Sequence, residues 1–129
     1  MEKNHHSKFS LVDRLKSFSF AFNGLKNLWV EEHNFRIHIV STLVVVIAGF
    51  LFKISFVEWV AVILSIGFVL ATEIINTTIE KLADFVSPDR NEKIKKIKDI
   101  SAAGVLIAAF TAFIVGVIIF SPKVFYLIF

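Results

Sequence analysis

Near the start of the chain, apolar residues recur at Leu11, Leu15, Phe18, Phe22, Leu25 and Trp29, at spacings of 4, 3, 4, 3 and 4. That is the period of one helical face. Asp13, Arg14, Lys16, Asn23, Lys26 and Asn27 fall mostly elsewhere. Residues about 10–32 are therefore predicted to form an amphipathic helix with a Phe/Trp-rich face and basic residues outside it, the pattern of a helix lying in a membrane interface. Packing of that face onto the chain's own spans would produce the same pattern.

Downstream the alternation gives way to apolar runs. One covers 37–52, broken only by His38 near its start, and a second runs from Trp59 through Thr72 to Glu73. Residues 102–120 form a 19-residue run without a charge, which as a helix spans roughly 28 Å against a hydrocarbon thickness of about 30 Å. Helical periodicity persists through 73–86, and no breaker precedes Ser87-Pro88. The membrane helices are thus predicted at 36–52, 57–86 and 100–120, the second running on into the cytoplasm and the third fed by a short basic loop at 89–98. The fold expected is an all-α membrane protein, one domain over 1–129, with three transmembrane helices behind an N-terminal surface helix.

Composition agrees: 56% of the residues are hydrophobic and mean hydropathy is +0.73, outside the range of ordinary soluble domains. The basic residues orient the spans. Six precede the first (Lys3, Lys8, Arg14, Lys16, Lys26, Arg36), six lie between the second and third (Lys81, Arg90, Lys93, Lys95, Lys96, Lys98), and the other two connections hold only Lys53 and Lys123. The positive-inside rule then makes the N-terminus and the 81–98 segment cytoplasmic. The net charge of +3 follows from topology and anionic headgroups and calls for no nucleic-acid partner. With no cysteine, disulfides, thiolate metal sites and cysteine nucleophiles are excluded. Met1-Glu2-Lys3-Asn4-His5-His6 lacks the form of a removable signal peptide.

The candidate chemistry lies at the end of the second span, in Ala71-Thr72-Glu73-Ile74-Ile75-Asn76-Thr77-Thr78-Ile79-Glu80-Lys81-Leu82-Ala83-Asp84. Asn76, Glu80 and Asp84 fall about −60°, −20° and +20° from Glu73 around a helix, so all four share one narrow face. Ionisable groups at membrane depth are expensive and usually functional. Glu73 sits about 21 Å along the helix from Trp59, inside the membrane toward its cytoplasmic edge, where a desolvated carboxylate could act as general base toward a lipid headgroup. The plain alternative is a structural glutamate bonded to a neighbouring helix.

Glu80, two turns further, and Glu32, at the close of the surface helix, are hard oxygen ligands of the kind magnesium takes beside phosphate oxygens, or simply solvated acids. Lys98, beside Asp99, could hold a nucleotide phosphate or snorkel at a helix end. His5 and His6 fall in the polar tail, His33 is interfacial, and His38 reads as a helix-packing residue. The glycines, at 24, 49, 67, 104 and 116, form no Walker loop, kinase glycine loop or dinucleotide fingerprint. From these residues the chain could be an enzyme acting on a lipid, a small proton- or ion-conducting oligomer with Glu73 as relay carboxylate, or a non-enzymatic adaptor with a polar seam.

Glu73-Ile74-Ile75-Asn76-Thr77-Thr78-Ile79-Glu80 with Asp84 after it, and Lys98-Asp99-Ile100-Ser101-Ala102-Ala103 downstream, closely resemble the signature of the small bacterial integral-membrane diacylglycerol kinases, a family that includes undecaprenol kinases. Phe22-Asn23-Gly24-Leu25 and Glu32-His33-Asn34-Phe35-Arg36 are similar to its N-terminal elements, so the resemblance covers roughly 9–120. It implies a homotrimer in the bacterial inner (plasma) membrane that phosphorylates a lipid alcohol with MgATP near the cytoplasmic surface. It also implies Glu73 as catalytic base and Glu32 and Glu80 as ligands of the nucleotide's Mg2+. Asn76, Lys98 and Asp99 would help place ATP and lipid, with Asp89, Arg90 and Asn91 near the nucleotide and Ala102 near the lipid. The chain departs from the family at Phe20, Asp13 and His33, where a polar side chain, an arginine and another arginine are common. The diacylglycerol branch tends to have serine in place of Ala102, while Asn34-Phe35-Arg36-Ile37-His38 and Ile118-Ile119-Phe120-Ser121-Pro122-Lys123 look closer to the undecaprenol branch.

Overall fold

The computed structural model describes residues 9–129; Lys3, His5, His6 and Lys8 lie outside the described residues. Four helices follow in order, α1 (Leu11–Glu31), α2 (His33–Leu51), α3 (Phe56–Val86) and α4 (Glu92–Ile128). The last three are long and apolar enough to cross a membrane. The chain divides after Glu32 into two units.

The first unit is α1. The Ser10 hydroxyl accepts from the Asp13 N–H at 3.4 Å, and Asp13 places a negative charge in the first turn, where the helix dipole favours it. The helix stops at Glu32, whose backbone is extended (φ −108, ψ 111) and whose N–H donates to the Leu28 carbonyl at 2.9 Å.

In the second unit α2 and α3 form a helical hairpin. The Ile54 N–H donates to the Gly49 carbonyl at 3.1 Å and the Lys53 N–H to the Phe50 carbonyl at 3.2 Å, with Lys53 left-handed at φ 49. This is a Schellman stop, in which Lys53 stands where glycine is usual. Ser55 then starts α3 with a reciprocal capping box: the Ser55 N–H donates to the Glu58 carboxylate at 2.7 Å, and the Glu58 N–H to the Ser55 hydroxyl at 3.2 Å. Ile54, Val62 and Ile119 are buried together, with Trp59 and Phe120 packed against them.

α3 and α4 run antiparallel and make the most extensive helix pair. Their register is marked at both ends, by Lys123 Nζ on Glu58 Oε1 at 3.0 Å and by Lys98 Nζ on Asp84 Oδ1 at 2.8 Å. These pairs stand about 38 Å apart along the helices. They therefore bracket the hydrocarbon core of about 30 Å and leave their charges in the headgroup layers or beyond.

The helix limits differ from expectation at α4. It begins at Glu92 rather than 100, so only 87–91 separates it from α3 and most of the basic segment taken as loop is helical. The cause is Asn91, whose side chain accepts from the N–H groups of Lys93 (2.9 Å) and Ile94 (3.5 Å). At the other end α4 runs to Ile128 rather than 120, through Pro122. Proline removes one helical bond, but the helix continues past it and closes with the Phe129 N–H on the Phe125 carbonyl at 3.0 Å. α2 similarly starts at His33 rather than 36.

Candidate active site

Glu73, Asn76, Glu80 and Asp84 descend one face of α3 over about 16 Å, and their burial falls in the same order. Glu73 is 3% exposed and Asn76 7%; Glu80 is half-buried and Asp84 exposed. The row is a polar track leading from an occluded carboxylate to the water-accessible end of the helix. Thr77, 3% exposed, lies beside it.

Glu73 faces α2: its Oε2 lies 3.7 Å from Nε2 of His38, whose side chain is 21% exposed. That separation is longer than a formed hydrogen bond but close enough for a small side-chain rotation to make one. The Asn76 amide donates through Nδ2 to Glu80 Oε1 at 3.4 Å. A carboxylate accepts only, so this contact turns Oδ1 the other way. Asn76 Oδ1 and Ser101 Oγ are buried without a hydrogen-bond partner among the described residues. Buried polar atoms are ordinarily paired, so these two mark where a further polar group belongs.

The remaining expected residues are placed as follows. Lys98 is held by Asp84, and Asp99 pairs with Lys95 at 2.7 Å. Asp89, Arg90 and Asn91 form the exposed α3–α4 link. Asn91 has its side chain committed to the α4 cap, and the Asp89 carbonyl accepts from the Ser87 hydroxyl at 3.3 Å. Ala102 is exposed on α4. Glu32 ends the first unit, where it caps α1. Among the described residues no three His, Asp or Glu side chains converge as a metal cage. Magnesium does not require one, since it is commonly held by one or two carboxylates plus substrate phosphates. Glu80, with the unpaired Asn76 Oδ1 a turn away, supplies hard oxygen donors suited to that ion.

Sequence reasoning gives Ser101 no role and reads His38 as a helix-packing residue. Ser101 gives no signal apart from its place in the Lys98-Asp99 stretch. For His38 there was a clue: it and Glu73 are polar interruptions of consecutive apolar spans, and such residues pair across helices.

An apolar slot of about 870 Å³ opens between α2, α3 and α4. Its wall on α4 runs from Ala109 to Phe129, about 30 Å along the helix. At the deep end its lining includes His38 and Val69, next to Glu73. Polar lining is confined to hydroxyls such as Ser41, Thr42, Ser65 and Ser121, besides His38.

The sequence model of a family described as prokaryotic diacylglycerol kinase matches residues 19–120. An undecaprenol kinase of Bacillus subtilis is 33% identical over 121 residues, 94% of this chain and 97% of the relative. A diacylglycerol kinase of Helicobacter pylori is 38% identical over 93 residues, 71% of this chain and 72% of the relative. One from Escherichia coli K12 is 30% identical over 100 residues, 78% and 82% of the two chains. None of these names supports an ion-conducting role.

Proposed function

From the premise that this chain belongs to the prokaryotic diacylglycerol kinase family and is a multi-pass membrane lipid kinase, we propose that it transfers the γ-phosphoryl group of MgATP to a lipid hydroxyl delivered along the slot to Glu73, with undecaprenol preferred over diacylglycerol. The observation that carries this reading is the buried Glu73 carboxylate beside His38, which lines the apolar slot, on the same helix face as Asn76, which donates to the half-buried Glu80. The tail lies in the slot, so the substrate need never leave the bilayer. Its hydroxyl meets Glu73, which accepts the proton as the oxygen bonds to the γ-phosphorus and the bond to ADP breaks.

The nucleotide occupies the water-accessible end of the track. Magnesium, when bound, would supply neutralisation of the phosphate charge, and Glu80 would be a carboxylate ligand for it. Asn76, through its free Oδ1, bridges the two halves of the site. Lys98 exchanges Asp84 for phosphate oxygens, a small loss because exposed ion pairs contribute little. Asp99 positions the nucleotide beside Lys98, and Asp89, Arg90 and Asn91 flank it. Little covalent chemistry is asked of the protein in phosphoryl transfer; placement and charge stabilisation account for the rate.

Undecaprenol is favoured because the relative of that name matches nearly the whole of both chains and because the slot is long and apolar, which suits a long single tail. Ala102, where the diacylglycerol branch tends to have serine, contributes to that choice. The working form is a homotrimer in the bacterial plasma membrane with its sites on the cytoplasmic side. Purified protein in mixed micelles, given radiolabelled ATP with undecaprenol, diacylglycerol and ceramide side by side, should label undecaprenol most efficiently at equal mole fraction. A clear preference for diacylglycerol would overturn the substrate and leave the reaction; labelling of none would overturn both.

A further inference from the structure

We propose that His38 is a positioning residue for Glu73: it contributes to the orientation in which the carboxylate is presented to the lipid hydroxyl. The inference rests on the reading of Glu73 as the base. His38 both lines the apolar slot and reaches the buried carboxylate, with Nε2 3.7 Å from Oε2. A hydroxyl drawn along the slot therefore arrives where the two side chains meet.

The physical requirement is orientational. The terminal torsion of a glutamate is broad and roughly two-fold, so each donor on the carboxylate narrows the range of angles over which its lone pairs point. General-base catalysis needs one of them aimed within hydrogen-bond reach of the proton to be taken. A donor on Oε2 narrows that range on the side facing the slot. Facing a carboxylate, Nε2 must carry the proton. The present separation is wider than a hydrogen bond, as contacts of this kind often are before substrate tightens the site. Packing alone gives no reason for an imidazole here, because leucine would fill an apolar helix contact without the cost of burying polar atoms.

Leucine, glutamine and asparagine variants at position 38 separate positioning from packing. Gln places its amide nitrogen near the location of Nε2, Asn falls short of it, and Leu has no donor. Turnover is measured in mixed micelles with a lipid alcohol and MgATP, alongside MgATP affinity and thermal unfolding. His38→Leu and His38→Asn should each lower kcat at least tenfold with MgATP KM and melting unchanged, and His38→Gln should recover most of the loss. In a Glu73→Gln background, His38→Leu should cause no further loss, because its target is gone.

Wild-type kcat in both His38→Leu and His38→Asn would overturn the proposal, as would an equal fold-loss from His38→Leu with and without Glu73. If His38→Leu fails to fold, the Gln and Asn variants carry the comparison, and equal impairment in those two overturns it. The underlying reading fails separately: Glu73→Gln with near-normal turnover removes the base itself, whatever the His38 variants do.

Discussion

Glu73 is an acid that the fold pays to hide, 3% exposed on a membrane helix, and removing its ability to accept a proton is the most direct test of why. Glu73→Gln keeps the shape of the side chain, so turnover should fall by on the order of 10² to 10⁴, the usual contribution of a general base, while MgATP still binds. Glu80 stands seven residues on, roughly 10 Å along the helix, and Glu80→Gln should instead weaken MgATP binding and raise the magnesium needed for half-maximal rate. Measuring turnover and MgATP affinity for both variants decides the division of labour. Normal magnesium dependence in Glu80→Gln would remove it from the metal site. The track itself was legible in the sequence, because 3.6-residue periodicity alone places Glu73, Asn76, Glu80 and Asp84 on one face. Their partners were not. His38 meets Glu73, and Asp84 meets Lys98, only through the packing of separate helices, and no local period encodes which turn of one helix lies against which turn of the next.

At the level of elements, the sequence showed where helices run more reliably than where they end. The 102–120 run was legible because it is long and uncharged, whereas the start of α4 depends on one asparagine accepting two backbone N–H groups, a small signal inside a charged stretch. The α2–α3 turn carries a sharper constraint. A Cβ on Gly49 would lie 2.6 Å and 2.9 Å from the Cη2 and Cζ2 atoms of Trp59, and 3.2 Å from Cδ1 of Ile54. Overpacking of this kind costs about 1–3 kcal/mol. Gly49→Ala should therefore lower the midpoint of thermal inactivation in detergent and shift Trp59 emission. On Gly67 a Cβ meets no described atom within 4 Å, so Gly67→Ala should be neutral or stabilising by up to about 1 kcal/mol. If the two variants melted alike, the Trp59 contact would not be what holds the turn.

Across the whole molecule, α2, α3 and α4 leave most of their large apolar side chains exposed, among them Leu43, Ile63, Leu64, Phe110 and Phe113. Only lipid or further copies of the chain can cover such a surface without loss. Which way the helices point then decides whether the kinase reading can work, since ATP is cytoplasmic and the polar track opens only at the α3–α4 end. The positive-inside rule, applied to the uneven distribution of Lys and Arg, predicts that end to be inside. The absence of cysteine from the chain makes this testable without background labelling. With Lys53→Cys in the α2–α3 turn, a membrane-impermeant maleimide should label intact spheroplasts, whereas Lys93→Cys at the start of α4 should react only after permeabilisation. The opposite pattern would put Glu80 and Lys98 on the side without ATP, and the proposed site could then bind no nucleotide in the cell. Labelling as expected would instead place the slot, the buried base and the nucleotide end in the order that transfer from cytoplasmic ATP to a bilayer alcohol requires.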